Sequence, residues 1–426
     1  MAGPSPRLSG WFLLYKAHGV DSNQFEAFPD ESDMSRTRTV PHQNTVFRQL
    51  IKRLPFGALD RLIERHRADK GVRRLRTREL LLTLLFAQVS DARSLRDIEA
   101  IIQSQDARRY HSGLPQVKRS TLADAAATRP AEVFTGLLST LIGQATHKLR
   151  QGVGECVRLI DSTTLPLNNL SADWSRFSAN LCGAKAHVVY DPDADCPLYL
   201  GFTPARVNDI TAAKEMPIEA GATYVFDLGY YDFGWWTKLD DAACRIVTRL
   251  KSNTPLQVIE TLPVPPEAET IVSDQIGFLP ARLAYSRRNP MDNAVREIKV
   301  TTETGAVLRI LTNDLDAPAG EIAALYKRRW AIELFFRWIK QTLKMRHFYG
   351  TSQNAVRIQI AVALIAFVLI RLAHDQQRVI DSSTQFARLV RANVMHRRPL
   401  AKLRRDTSIP EELPVQNHAQ GVLLWA

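Results

Sequence analysis

The spacing of hydrophobic positions divides the chain into a helical part and a strand-rich part. From Asn44 to about Leu149, apolar residues recur at three- and four-residue steps, which is typical of helices with one buried face. From Gly154 onward the pattern alternates and is rich in β-branched residues, which predicts strands. We therefore expect a helical domain over residues 41–150. Residues 1–40 have no sustained periodicity and are expected to be a disordered extension.

The strand-rich part has an order of elements that indicates a fold. The predicted elements are three strands, a short helical passage and a further apolar strand that ends in Asp227, and they lie at 156–167, 184–191, 196–205, 208–213 and 222–233. This is the order of a ribonuclease H-like core of the α+β/α/β class. We expect that core at 151–242 and 315–380, a β-rich insertion at 243–314, and a basic C-terminal segment at 381–426. Met34, shortly before the first helical pattern, is the expected natural start.

One predicted helix, at 326–340, carries charged residues in an unusual arrangement. Tyr326, Arg329, Glu333 and Lys340 fall within an arc of roughly 60° if every residue turns by about 100°. The opposite side offers a stripe that is suited to burial, made of Trp330, Leu334 and Trp338. An exposed helix with ordinary Arg–Glu pairs is the alternative interpretation.

Charge indicates the class of partner. The 426 residues carry a net charge of +12 and a pI of about 9.7, which favours a polyanion, with nucleic acid ahead of an anionic membrane. A basic run includes four candidates for DNA phosphate contacts, although such runs are often only solvated faces: Arg73, Arg74, Arg76 and Arg78.

Cysteine usage and hydropathy limit the compartment. The four cysteines form no CxxC pair, so neither a structural zinc site nor a disulfide framework is expected, and a cytoplasmic location fits. The longest charge-free run, Ile358–Ile370, is too short to span a bilayer, and we expect it to be a buried core helix without membrane contact.

Three acids are the candidate catalytic groups. Asp161 lies near the end of the first predicted strand, Asp227 ends the later one, and Glu333 lies on the helix. Taken singly, each aspartate is as readily explained as a turn or cap residue. Together, three carboxylates suit two Mg²⁺ ions, for which Mn²⁺ can substitute, and in-line phosphodiester chemistry.

The sequence resembles the DDE transposases of the insertion-sequence-four family. The resemblance is carried by the pattern Y-x-x-R-x-x-x-E-x6-K at 326–340, by LIDSTTLPL, by GAKAHVVYD, and by the segment from GFTPARVNDI to FDLGYYDF, and it runs from about residue 44 to 372. It implies that the catalytic, metal-binding acids are Asp161, Asp227 and Glu333. It also implies DNA contacts from Tyr326, Arg329, Arg337 and Lys340, with Lys185 and His187 beside the site.

The resemblance further implies a biological role. A transposase of this kind cuts an insertion sequence from its terminal inverted repeats and transfers it to target DNA, as a homodimer in a synaptic complex at the bacterial nucleoid. Leu228 departs from the family, which usually has arginine after the second aspartate. Two alternatives stay open: a catalytically inactive, transposase-derived DNA-binding protein, and a tyrosine recombinase with Tyr326 as its nucleophile.

Overall fold

The computed structural model describes residues 44–106, 109, 112–149, 155–167, 169–178, 181–266, 268–282, 288–342, 348–377 and 380–403. The expectations for residues 1–40, for Met34 and for the chain beyond residue 403 lie outside these residues.

The first described part of the chain is helical. Its helices are Val46–Ile51, Phe56–Arg65, Thr77–Ser90, Leu95–Ser104, Arg119–Thr128 and Ala131–Leu149. Side chains cap two of them, since the hydroxyls of Thr45 and Ser94 accept backbone N–H groups of the first turn. Pro130 separates the last two helices, because proline cannot continue the preceding one.

The strands form one mixed sheet. They are β1 (Val157–Leu167), β2 (Arg176–Ser178), β3 (Leu181–Asp191), β4 (Cys196–Pro204), β5 (Thr223–Val225), β6 (Arg245–Arg249), β7 (Gln257–Thr261), β8 (Ile271–Phe278), β9 (Val295–Thr301) and β10 (Val307–Thr312). Their order is β2-β3-β1-β5-β6-β10-β9-β8-β7, with β4 paired to β3. β1, β5 and β6 run parallel, and β6 joins β10 antiparallel. The strand-rich stretch after residue 243 therefore continues the sheet of the core.

Helices follow or interrupt the strands. They are Ala172–Ser175, Asp209–Ala213, Phe233–Asp241, Ala319–Arg328, Trp330–Thr342, Gln353–Asp375 and Ser383–Ala392. We call Trp330–Thr342 the glutamate helix and Gln353–Asp375 the central helix. Mixed strands with helices in this order fit the ribonuclease H-like core that the sequence predicts.

The two faces of the sheet belong to different hydrophobic clusters. On β1, Leu159 faces the cluster that contains the central helix, and Ile160 faces a second cluster around Trp235 and Trp236. The central helix packs on helices 131–149 and 77–90, so the N-terminal helices and one face of the sheet share a core. Among the described helices, the central helix alone is long and apolar enough to cross a membrane, and 89% of its most apolar window is buried inside the protein. The prediction of a buried core helix is confirmed.

Four local predictions are wrong. Asp161, expected near the end of its strand, is the fifth of the 11 residues of β1, which continues to Leu167. The strand expected to end in Asp227 ends at Val225, and a 3₁₀ turn follows at Leu228–Tyr230. The helix expected over 326–340 is broken at Arg329, where the backbone makes two hydrogen bonds of the i to i+3 kind. The stripe expected to be buried is partly solvent-facing: Trp330 is 51% exposed and Leu334 is 47% exposed.

Candidate active site

Asp161 stands where strand β1 leaves the hydrophobic core. The strand is buried over residues 157–160, and the Asp161 side chain is 18% exposed. Its Oδ1 accepts a hydrogen bond of 2.7 Å from the Ser162 backbone N–H. Burial first, and then the charges of Asp227 and Glu333, raise the pKa of Asp161 to about 6, against the opposing effects of the Ser162 N–H and the Arg329 guanidinium. The Asp161 carboxylate therefore lies close to several other charged groups.

Asp227 reaches the same edge of the sheet from the neighbouring parallel strand. Leu159 on β1 pairs with Val225 on β5, and in each strand the aspartate follows two residues later. Asp227 precedes the 3₁₀ turn, and its Oδ1 accepts a hydrogen bond of 2.8 Å from the Gly229 N–H. Parallel register thus brings the two aspartates to one level.

Glu333 is on the first turn of the glutamate helix. The helix buries Ile332 and Phe335 in the cluster that also holds Leu159, which fixes the side of the sheet that Glu333 faces. Arg329, at the break before the helix, connects the acids: its Nη2 lies 2.5 Å from Glu333 Oε1, and its Nη1 lies 3.6 Å from Asp161 Oδ2. One guanidinium therefore partly balances two carboxylates.

All three acids line one open cavity of about 410 Å³. Its complete lining is Asp161, Ser162, Thr163, Asp227, Arg329, Glu333, Phe336, Arg337 and Lys340. Three carboxylates and three cations in one cavity make a surface that can hold a phosphate chain beside oxygen ligands.

Four of the residues predicted to contact DNA are near this cavity. Arg329, Arg337 and Lys340 line it. Tyr326 is on the preceding helix, half-buried against the core, and the Arg329 guanidinium carbon lies 6.0 Å from its ring centre. Burial raises the pKa of Tyr326. The broken helix thus separates Tyr326 from the other three.

Lys185 and His187 are on strand β3, which pairs with β1 in the sheet, and both side chains have partners within the protein. Lys185 Nζ donates to Asp209 Oδ1 at 3.0 Å and to the Val207 carbonyl at 3.1 Å. His187 is fully buried, and its Nε2 lies 2.8 Å from Thr203 Oγ1. Burial lowers the pKa of His187 to about 4, so the ring is neutral at pH 7. Neither side chain is presented to DNA in this conformation.

The four arginines of the basic run surround the connection between helices 56–65 and 77–90. All four are exposed, whereas Leu75 between them is buried. Arg78 makes a loose ion pair with Asp60 at 3.8 Å and stacks over the Phe56 ring at 4.2 Å. The arginine heads are therefore available to a polyanion.

Sequence reasoning missed several residues at the site. Thr163 and Phe336 line the cavity, and Tyr230 lies buried beside the aspartates, whose charges add to burial in raising its pKa well above its usual range. Two signals were available. Thr163 belongs to the polar run that directly follows Asp161, and Phe336 is three residues beyond Glu333 on one helix face.

The donor set suits a hard divalent cation. It consists of carboxylate oxygens. Burial is the main cause of the raised Asp161 pKa, and the charges of Asp227 and Glu333 add to it; a bound cation would favour the ionised carboxylate against both effects. Within the described residues, no three His, Cys, Asp or Glu side chains stand at metal-ligating spacing in this conformation. The Arg329 guanidinium lies between two of the three acids, so ligation by all three requires that side chain to move.

Comparison with known proteins bears on both halves of the chain. The family model described as "Transposase DDE domain" matches residues 152–369, and a domain of unknown function, DUF4372, matches residues 42–115. The protein y4zB of Sinorhizobium fredii, which carries the name of a transposase, is 42% identical over 68% of this chain and 80% of its own length. A protein of Geobacillus stearothermophilus, named as the transposase of insertion sequence element IS5377, is 28% identical over 62% of this chain and 70% of its own length.

Among solved structures, a piggyBac transposase synaptic complex with hairpin DNA is a distant likeness. It has a TM-score of 0.44 and 10% sequence identity, and the match covers 84% of this chain and 82% of that chain.

Proposed function

This chain belongs to the DDE transposase family of insertion sequences, and from that premise we propose that it moves its element by a cut-and-paste route. As a transposase it acts on DNA. The proposed reaction is hydrolysis of a phosphodiester at each end of the element, followed by attack of the freed 3′-hydroxyl on a phosphodiester of target DNA. In this proposal the freed 3′-hydroxyl first attacks the opposite strand, which forms a hairpin on the element end and releases the flanking DNA. Hydrolysis of the hairpin then restores the 3′-hydroxyl that attacks target DNA.

The observation that carries the proposal is the convergence of three carboxylates on one cavity. Asp161 on β1 and Asp227 just beyond β5 each follow the paired residues Leu159 and Val225 by two positions, and Glu333 lines the same cavity from the glutamate helix. We assign these three residues as the catalytic acids and metal ligands. Two Mg²⁺ ions held there, or Mn²⁺ in their place, would supply Lewis-acid activation of the attacking and leaving oxygens.

We assign the cations of the cavity to binding of the DNA backbone. Arg337 and Lys340 are on successive exposed turns of the glutamate helix, where an arginine can bind phosphate through two N–H groups and a lysine through one point charge. When DNA binds, Arg329 would leave Glu333 and Asp161 and pair with a phosphate instead. Both acids would then be free to ligate metal. In this way substrate and metal would enter the site together.

The remaining assignments follow from the same premise. We propose that residues 41–150 bind the element ends and that Arg73, Arg74, Arg76 and Arg78 contact phosphates there. The catalytic core would be 151–242 and 315–380, with a β-rich insertion at 243–314 and a basic segment at 381–426. The partners would be the terminal inverted repeats, target DNA and a second copy of the chain, in the bacterial cytoplasm at the nucleoid.

The test is cleavage of a duplex that carries the genomic sequences flanking the gene, with Mg²⁺ or Mn²⁺, by wild type and Glu333→Gln. We expect the variant to bind the duplex and to lose cleavage. Glu321→Gln is the matched control, because Glu321 lies on the preceding helix, pairs with Arg245 and does not line the cavity. Cleavage that persists in Glu333→Gln would refute the assignment.

Two other outcomes would favour the alternatives. Binding without cleavage in every protein, including Leu228→Arg, would indicate a catalytically inactive descendant. A covalent protein–DNA adduct that Tyr326→Phe abolishes would indicate a tyrosine recombinase.

A further inference from the structure

A fourth aspartate, Asp209, links strand β1, which carries Asp161, to the neighbouring strand β3. It is the first residue of helix 209–213 in the crossover between β4 and β5. Its Oδ1 accepts a hydrogen bond of 2.7 Å from the Ser162 hydroxyl on β1 and one of 3.0 Å from Lys185 Nζ on β3. Its side chain is 24% exposed, so both contacts are largely shielded from water.

The position of Asp209 relates it to both aspartates of the cavity. Ser162 directly follows Asp161 in the chain and itself lines the cavity. On the other side lies Gly229, two residues after Asp227. A Cβ built on that glycine would lie 3.0 Å from Asp227 Oδ1 and 3.4 Å from Asp209 Oδ2. The two carboxylates therefore approach one point above a glycine that leaves room for them.

The charge of Asp209 is compensated by a cation of its own, whereas Glu333 and Asp161 share Arg329. Lys185 supplies the cation, and the neutral ring of His187 has its Nδ1 3.8 Å away. Asp209 does not line the cavity, whereas Ser162 does. Asp209 is thus placed to act on the proposed ligands through Ser162.

We infer that Asp209 is a positioning residue of this active site: through the Ser162 hydroxyl it fixes the middle of β1 and so the direction in which Asp161 points. The inference rests on the proposed metal centre. A ligand that is held by a second hydrogen-bonded group binds metal more tightly, and removal of such outer partners typically lowers metal affinity about 10- to 100-fold. Asp209 thus holds Ser162 in place, and Ser162 in turn orients Asp161.

The test is a double-mutant cycle on Mn²⁺ affinity, measured by electron paramagnetic resonance on the full-length protein. We expect Asp209→Ala and Ser162→Ala each to raise the Mn²⁺ Kd by about tenfold or more. The double variant should bind Mn²⁺ no more weakly than the weaker-binding of the two single variants, because both changes remove the same hydrogen bond. Binding of duplex DNA and the Tm should distinguish this effect from unfolding.

Asp232→Ala is the matched control. Asp232 also pairs with a lysine, Lys214 at 2.6 Å, and accepts a backbone N–H, that of Trp235 at 2.8 Å, but it does not line the cavity. Its loss should lower the Tm and leave the Mn²⁺ Kd unchanged. If Asp209→Ala does not fold, Ser162→Ala decides the matter, since it removes a single hydroxyl.

Asp227→Asn separates failure of this inference from failure of the proposed function. If wild type binds no Mn²⁺, or binds it as well after Asp227→Asn, the metal centre itself is refuted and the role of Asp209 with it. If Asp227→Asn abolishes binding while Asp209→Ala and Ser162→Ala bind as wild type does, only the role of Asp209 is refuted. Additive losses in the cycle would also overturn the route through Ser162.

Discussion

Replacement of Asp161 by asparagine should stabilise the metal-free protein at neutral pH. The carboxyl pKa rises from 3.8 to about 6 on folding, mainly because the side chain is buried. At pH 7.5 the ionised group therefore costs the folded state roughly 3 kcal/mol. Asparagine keeps the oxygen that accepts the Ser162 N–H and carries no charge, while Arg329 retains Glu333 as its partner.

The pH dependence of this gain has a definite sign. Between pH 3.8 and about 6 the folded protein holds a proton on Asp161 that the unfolded chain has released, so stability falls as pH rises through that window. The advantage of asparagine should be close to zero below pH ~4, about 1.5 kcal/mol at pH 5 and about 3 kcal/mol above pH ~7.

The assay is urea unfolding in the presence of a chelator at pH 5.0 and pH 7.5. Asp292→Asn serves as the control, because its exposed carboxylate pairs with Arg288 at the surface and its removal should change stability by no more than about 0.5 kcal/mol. The reasoning fails if Asp161→Asn is no more stable than wild type at pH 7.5, or if its gain grows toward acid.

Two further predictions concern buried side chains. Arg296 binds Asp274 through two hydrogen bonds of 2.8 Å and 2.7 Å, and both side chains are at least 96% buried. In urea unfolding, Arg296→Met should lower the free energy of unfolding by about 3–5 kcal/mol, whereas the exposed Arg288→Met should leave it almost unchanged. Phe335→Ala should cost about 3–5 kcal/mol because Phe335 is 4% exposed, whereas Trp330→Ala should cost less than about 1 kcal/mol; equal losses in thermal unfolding would contradict the observed orientation of the helix.

The placement of the two aspartates could be predicted because it depends on local pattern. Alternation in β1 and the apolar run before Asp227 each predict a strand next to an aspartate. The parallel pairing of β1 with β5 could not be predicted in this way, because β2, β3 and β4 lie between them in the chain. The early end of β5 at Val225 could not be predicted, since the apolar Phe226 continues the strand pattern. It is the capping of the turn by the Asp227 side chain that ends the strand.

The orientation of the glutamate helix could not be predicted because two apolar stripes overlap on it. One stripe contains Trp330 and Leu334, and the other contains Ile332, Phe335 and Ile339. Both have helical spacing, and only packing against the sheet and the central helix selects the second. The break at Arg329 likewise could not be predicted, because no proline or glycine marks it in the sequence.

The contacts of Asp209 were hidden for a different reason. Ser162, Lys185 and Asp209 are far apart in the chain, and their meeting depends on the antiparallel register of β1 with β3 and on the path of the crossover. A sequence contains the residue types of such a cluster but not their distances.

The shared core of the N-terminal helices and the central helix has a consequence for synthesis. Helix 131–149 leaves the ribosome long before helix 353–375, which covers its apolar face. At typical translation rates the interval between residues 149 and 375 is roughly 10 to 45 s. For that time the newly made helices hold an uncovered hydrophobic surface, which favours aggregation or binding to chaperones. A fragment that ends near residue 150 would keep that surface permanently.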